Sequence, residues 1–108
     1  MLDKNSLSED ILREIASVGG EYGHRLERII EEMERIRRAV VYLEDRLKRQ
    51  GGTPVYSLRL LIRLRRRFLR RKREALEVRR NLIIYREAIG LVNHREVFDI
   101  YNIEKLEL

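Results

Sequence analysis

The five residues QGGTP, at positions 50–54, decide the fold that this sequence predicts. Consecutive glycines can adopt the left-handed backbone that ends a helix. Thr53 can cap the helix that follows, and Pro54 suits the first helical position because that position needs no N–H donor. Two long helices joined by so short a connection have little choice but to pack antiparallel. We therefore predict an all-α fold, a long helical hairpin with coiled-coil-like packing.

An apolar seam runs through the residues before this turn. Its members alternate between spacings of four and three residues, the pattern of a helix that faces a partner helix. They are Tyr22, Leu26, Ile29, Met33, Ile36, Val40, Leu43 and Leu47. Ile11 and Ile15 continue the seam upstream, but its register slips by one residue near Gly19, Gly20 and Gly23. A continuous helix and a break at these glycines are both open, since glycine costs a helix about 1 kcal/mol.

The residues after the turn carry a second seam. It comprises Leu61, Leu64, Phe68, Arg71, Ala75, Val78, Leu82, Tyr85, Ile89 and Val92. Folding the chain at the two turn glycines places Phe68 opposite Ile36, and the two seams then run out together. We predict a single domain with helix 1 over about 7–50, a turn at 51–53, helix 2 over about 54–93 and a C-terminal tail at 94–108.

The C-terminal tail has two possible conformations. Asn93 and Glu96 form a pattern that caps a short third helix. On that helix Val97, Ile100 and Tyr101 would share one face. The last seven residues, NIEKLEL, alternate apolar and polar side chains and fit an extended arm equally well.

Helix 2 carries a second apolar row beside its seam, formed by Ile62, Leu69, Leu76 and Ile83. Two antiparallel helices bury one stripe each, so this row would face water in an isolated hairpin. We expect a second copy of the chain to cover it, which gives a homodimer built as a four-helix bundle with two-fold symmetry. The alternative cover is the chain's own tail, folded back over the row.

Charge divides the hairpin into two unequal halves. The half near the turn, residues 35–73, holds 15 Arg or Lys residues and two acids, a net charge of +13. The remaining residues hold 9 basic and 16 acidic side chains, a net charge of −7. In an antiparallel dimer each basic tip would lie against an acidic end. This arrangement fixes orientation even though exposed ion pairs contribute under ~1 kcal/mol each.

The basic tip is also a candidate surface for nucleic acid. Its cationic side chains could line phosphates. They are Arg59, Arg63, Arg65, Arg66, Arg67, Arg70 and Arg73 on helix 2, with Arg37, Arg38, Arg46, Lys48 and Arg49 on helix 1. Tyr42 and Tyr56 are the only tip aromatics outside the seam, too few for a surface that stacks single-stranded bases. No zinc finger or helix-turn-helix is visible, so we expect backbone contacts with little sequence preference.

Arg71 occupies a seam position, where we expect it to be a buried charge. A desolvated guanidinium needs a carboxylate. Glu32 and Glu34 lie nearest to it across the hairpin. We therefore predict an internal ion pair at this level of the seam.

The sequence offers no pattern for catalysis or metal binding. Cysteine is absent, which excludes disulfides and thiolate metal sites. Glu21 and His24 have the spacing of di-iron ligands, but both flank the seam at Tyr22 and are better interpreted as an exposed polar pair. The segment SVGGEYG, at 17–23, lacks the Lys-Ser/Thr of a phosphate loop. We expect no cofactor and no small-molecule substrate.

Neither a membrane span nor a secretion signal is evident. No apolar run approaches the roughly 20 residues that span a bilayer, and the N-terminus lacks a signal pattern. We predict a cytoplasmic, non-enzymatic assembly or adaptor protein that acts as a homodimer and contacts a protein partner through its basic tip or C-terminal arm. The alternative is a non-specific nucleic-acid-binding protein that uses the Arg-rich tip.

Overall fold

A computed structural model describes residues 4–51 and 55–108 of the chain. It contains three helices, α1 (Lys4–Gln50), α2 (Val55–Ala88) and α3 (Arg95–Ile100), and no strand occurs among the described residues. α1 and α2 pack antiparallel in an elongated body whose Cα atoms extend 77 × 21 × 16 Å. The predicted all-α hairpin is confirmed. None of the described helices is long and apolar enough to cross a bilayer.

The two apolar seams meet between α1 and α2. Their buried members are Leu26, Ile29, Met33, Ile36 and Val40 on α1, and Leu61, Phe68, Ala75, Val78 and Leu82 on α2. Towards the acidic end, the rings of Tyr22 and Tyr85 lie 6.0 Å apart. Burying a large apolar side chain contributes roughly 1.5–3 kcal/mol. This stripe is therefore the main source of the hairpin's stability.

α1 is continuous through the three glycines of residues 19–23. A Cβ atom at Gly19 would lie 3.7 Å from the Tyr85 ring, within ordinary contact. A Cβ atom at Gly23 would lie 2.8 Å from the hydroxyl of Tyr101, closer than such atoms come. The lack of a side chain at Gly23 therefore lets the tail approach the helix, and this packing offsets the cost of glycine in α1.

α2 ends earlier than the predicted boundary near residue 93. Gly90 has a φ of +91°, and the N–H of Leu91 donates to the C=O of Arg86 at 2.9 Å. This is the reversed geometry with which a glycine terminates a helix. Val92, assigned to the seam from its spacing, is 82% exposed, and Ile89 is also exposed. The prediction extended the seam too far because the spacing continues past a glycine that stops the helix.

The other helix boundaries differ less from the predictions. α1 begins at Lys4, somewhat before the predicted start near residue 7. Gly51 has a φ of +62°, the left-handed conformation predicted after a helix. The capping roles assigned to Gly52, Thr53 and Pro54, and the side chains of Ile11 and Ile15, lie outside the described residues.

The predicted third helix is present as α3. The side-chain oxygen of Asn93 accepts the backbone N–H of Arg95 at 3.1 Å, so Asn93 helps to start the helix. Val97 is buried against the hairpin. Ile100, expected to share its face, is exposed. α3 therefore docks through Val97 and the residues that follow the helix.

The residues after α3 fold back in turns and do not form an extended arm. The N–H of Leu106 donates to the C=O of Ile103 at 3.0 Å. Both side chains are buried and belong to the same apolar core as the two seams. The tail thus adds a third layer to the acidic half of the hairpin.

The tail lies beside the second apolar row of α2, called here the outer row (Ile62, Leu69, Leu76 and Ile83). Its carbonyls bind basic side chains that recur every seven residues between the seam and the outer row. Lys72 donates to Leu106, Arg79 to Tyr101 and Arg86 to Asn93, at 2.9, 3.0 and 3.1 Å respectively. The outer row is therefore left uncovered along most of its length.

Candidate functional site

Part of the predicted anion-binding set is already neutralised within the chain. The ion pairs join Arg65 to Glu44, Arg67 to Glu32 and Arg49 to Asp45. The Nε atom of Arg67 lies 2.8 Å from its carboxylate oxygen. Such exposed pairs contribute little to stability. They nevertheless hold a carboxylate where a phosphate would otherwise bind.

Arg71 has the predicted carboxylate but lacks the predicted burial. Its Nε lies 2.8 Å from Glu32 and its Nη1 lies 2.6 Å from Glu74. The hydrogen bond that Arg71 donates to Glu74, followed by the negative charge of Glu32, raises the pKa of Arg71. Its side chain is 33% exposed, so its assignment as the buried charge is wrong. The long side chain starts at the seam and carries its guanidinium out to the surface.

The buried arginine is Arg79, which is 6% exposed. Its Nη1 donates to the Tyr101 carbonyl at 3.0 Å and to a Glu104 carboxylate oxygen at 2.8 Å, while its Nη2 donates to the other oxygen. The guanidinium carbon lies 4.6 Å from the centre of the Phe98 ring. Hydrogen bonding by Arg79 lowers the pKa of Glu104 to about 2. These contacts, called here the tail latch, fasten the tail to α2.

The apolar seam does not predict the tail latch, because Arg79 lies one residue outside the seam. Heptad spacing assigns Val78 and Leu82 to the seam and predicts that the three residues between them, Arg79 among them, face solvent. The only available signal was the acid-rich tail, since a segment that alternates apolar side chains with Glu104 and Glu107 needs a basic surface to dock on.

Five arginines form a stripe along α2 at spacings of four and three residues. They are Arg59, Arg63, Arg66, Arg70 and Arg73, called here the arginine ridge, and all five are exposed. An open depression lined by the last four of them follows the stripe. Within the part of the chain that the structure describes, none of the five forms an ion pair.

The remaining predicted contacts do not form a comparable stripe. Arg37, Arg38, Arg46 and Lys48 are exposed on α1, at irregular spacings. Tyr42 and Tyr56 are also exposed, one on each helix. Base stacking needs several aromatic rings interleaved with the basic groups. The tip therefore offers cationic charge with little stacking surface.

The outer row is the second candidate surface. Ile62 and Leu69 are 50% and 51% exposed, and Leu76 is partly exposed. Ile83 alone among the four packs against the hairpin core. Val55, which the sequence analysis did not include, is exposed and continues the row at the same seven-residue spacing. The row thus begins at the tip and becomes buried as it reaches the tail.

Glu21 and His24 remain on the surface of α1. The Nδ1 atom of His24 lies 3.8 Å from Glu27, and Glu21 is exposed. Among the described residues, no group of three His, Cys, Asp or Glu side chains lies close enough together to hold a metal ion.

Comparisons with known proteins add no assignment, since no family model, curated protein or solved structure matches the chain.

Proposed function

We propose that this protein is a non-enzymatic, cytoplasmic assembly protein that works as a homodimer, with the outer row of α2 as the dimer interface. The observation that carries the proposal is the exposure of Ile62 and Leu69 after the tail has folded back. The apolar tail of the chain covers the face of α2 beside the outer row and leaves the outer row itself uncovered. A heptad-spaced apolar row on an exposed helix face is the kind of surface that a second helix covers.

A second copy fits the row because the row is self-complementary. In an antiparallel arrangement Ile62 packs against Ile83 of the second copy, and Leu69 packs against Leu76. The row from residue 62 to residue 83 is about 32 Å long. Two-fold symmetry repeats each contact, and α1 and α2 of the two copies together form a four-helix bundle.

The charge distribution favours this antiparallel order. The basic tip, at +13, would lie beside the acidic half of the second copy. Part of that negative charge lies on the docked tail, at the exposed acids Glu96, Asp99 and Glu107. Near the two-fold axis the effect is opposite, since Arg73 would approach its own counterpart. Attraction at the ends and repulsion at the centre oppose one another, so the dimer should depend mainly on apolar burial.

Charged substitutions in the outer row test the proposal. Leu69→Glu and Ile62→Glu should each convert a dimer into a folded monomer, because a buried carboxylate would face an apolar surface. Ile83 is a poor choice, since it also packs against the monomer's core. Ile84→Glu is the matched control, a charge placed at an exposed position outside the row.

Sedimentation equilibrium at low and at high salt gives the mass of each variant. The wild-type chain should be a dimer at both salt concentrations, and so should the Ile84→Glu control. A wild-type monomer under both conditions would refute the homodimer. The tip would then be the contact surface that remains for a protein partner, since the tail is docked on its own hairpin.

A further inference from the structure

We propose that the arginine ridge binds the phosphate backbone of double-stranded nucleic acid without preference for base sequence. The proposal goes beyond assembly and uses a different set of side chains from the outer row. Its starting point is that the ridge arginines have no carboxylate partner among the described residues, unlike Arg65, Arg67 and Arg71.

The contrast between the two sets of arginines follows from their positions on α2. Arg65, Arg67 and Arg71 lie on the sides of the helix that border α1, where Glu32 and Glu44 reach them. The ridge arginines occupy the remaining, outward positions. In the single hairpin their positive charge is therefore available to an external anion, because Glu32 and Glu44 are bound to other arginines.

The geometry of the ridge suits a regular line of phosphates. From Arg59 to Arg73 the stripe is about 21 Å long, because α-helical residues rise about 1.5 Å each. Base pairs of B-form DNA rise about 3.4 Å each along the axis, so the ridge has the length of about six base pairs, over which phosphates of both strands are exposed. Packing against α1 holds α2, and with it the stripe of arginines, straight. A straight row of cations suits a duplex because the duplex is itself stiff over this length.

The scarcity of stacking groups along the ridge supports the same ligand. Between Arg59 and Arg73 the other exposed side chains are Ile62, Arg65, Arg67 and Leu69, and the one exposed aromatic ring beside the stripe is Tyr56, which lines a depression with Arg59 and Arg63. Single-strand binding surfaces gain about 1–3 kcal/mol for each stacked base. Tyr56 could supply this contribution for one base only, whereas all five guanidinium groups suit phosphate oxygens. The ligand class is therefore the backbone of a duplex.

Salt dependence gives the proposal a magnitude. If each ridge arginine neutralises one phosphate, log K should fall against log salt with a slope of about −4.5. Raising the salt from about 50 to about 200 mM would then weaken binding roughly 500-fold. Replacing Arg63, Arg66, Arg70 and Arg73 with Gln should reduce the slope to about −1.

The experiment is fluorescence anisotropy with a short duplex DNA of mixed sequence, at low and at moderate salt. The test variant is Arg63→Gln/Arg66→Gln/Arg70→Gln/Arg73→Gln. The control is Arg13→Gln/Arg25→Gln/Arg28→Gln/Arg95→Gln, which removes the same charge from exposed positions outside the tip. At low salt the affinity of the test variant for the duplex should fall at least 100-fold, and that of the control should fall by less than about 10-fold.

Three results would overturn the inference. The first is an equal loss of affinity in the two variants, which would indicate attraction to net charge alone. The second is tighter binding to a single strand of the same sequence. The third is tighter binding to vesicles of anionic lipid than to the duplex at equal salt, which would make a membrane surface the ligand. Circular dichroism checks that both variants fold. The sedimentation mass of each variant shows whether the dimer has been lost, so that loss of the dimer can be told apart from loss of nucleic-acid binding.

Discussion

Replacing Glu104 with Gln tests how strongly the tail is fastened to the hairpin. The carboxylate of Glu104 accepts hydrogen bonds from both terminal nitrogens of Arg79, a side chain that is only 6% exposed. The neutral amide keeps the shape of the glutamate but removes its charge. A buried guanidinium would then keep the Tyr101 carbonyl as its main acceptor. Leaving a buried charge with too few partners is costly.

The pKa of Glu104 sets the scale of the loss. That pKa falls from 4.5 to about 2 in the folded chain, and each unit corresponds to about 1.4 kcal/mol. The full shift would amount to about 3 kcal/mol. The side chain of Glu104 is 60% exposed, however, so solvent screening reduces this value. We expect Glu104→Gln to lower the free energy of unfolding by about 1–2 kcal/mol at neutral pH.

Acid should produce the same loss in the unmodified chain. The pKa of Glu104 is lower in the folded chain than in the unfolded chain, so the stabilisation is fully present above about pH 4.5. It is lost progressively as the pH falls from about 4.5 through about 2, because in this range the unfolded chain takes up a proton at Glu104 more readily than the folded chain does. Glu104→Gln should lack this part of the acid dependence.

Urea unfolding followed by circular dichroism measures both effects, at neutral pH and at about pH 3. Glu107→Gln is the matched control, since Glu107 is an exposed acid in the same tail. Hydrogen exchange at the amides of Ile103 and Leu106 should accelerate in Glu104→Gln but not in the control. Equal stability losses in the two variants, or identical acid dependence, would refute the role given to the latch.

Two further predictions concern the glycines of α1 and the centre of the seam. Gly20→Ala should stabilise the chain by up to about 1 kcal/mol, since among the described residues no atom beyond the adjacent residues and backbone of α1 lies within 4 Å of the added methyl. Gly23→Ala should be less stable than Gly20→Ala, because the added methyl meets the Tyr101 hydroxyl. Adding Tyr101→Phe to Gly23→Ala should bring its melting temperature closer to that of Gly20→Ala. An unchanged melting temperature would contradict the steric argument. Phe68→Ala should cost about 3–5 kcal/mol because the ring is enclosed in the core. Ile84→Ala, at an exposed site, should change the free energy of unfolding by no more than about 0.5 kcal/mol in the same urea titration. Similar losses of stability in Phe68→Ala and Ile84→Ala would contradict the assigned register.

The hairpin itself could be predicted because its determinants are local. Heptad spacing in each helix and glycines at the turn specify the antiparallel order, and the ion pair between Glu32 and Arg71 lies where the register predicts it. The predicted end of α2, near residue 93, was wrong because periodicity does not determine it. Spacing continued to Val92, while the backbone reversal at Gly90 depends on one residue that a periodicity argument does not weigh.

For the candidate surfaces, the sequence predicted which residues are present but not which of them are free of partners. The sequence identified the basic tip, but whether an arginine is neutralised depends on how far Glu32 and Glu44 reach across the hairpin. The tail latch depends on a contact between residues 79 and 104, which no local pattern encodes. Separating the arginine ridge from the other tip arginines therefore required the three-dimensional arrangement.

The docked tail gives the rod a different thickness at its two ends. Beside the tail, three layers share one core, whereas the described residues of the tip form two layers, α1 and α2. We expect amides of the tip to exchange with solvent through local openings of lower free energy than those of the acidic half. The end that carries the arginine ridge is then the end whose backbone hydrogen bonds open more often, whereas the docked tail protects those of the opposite end.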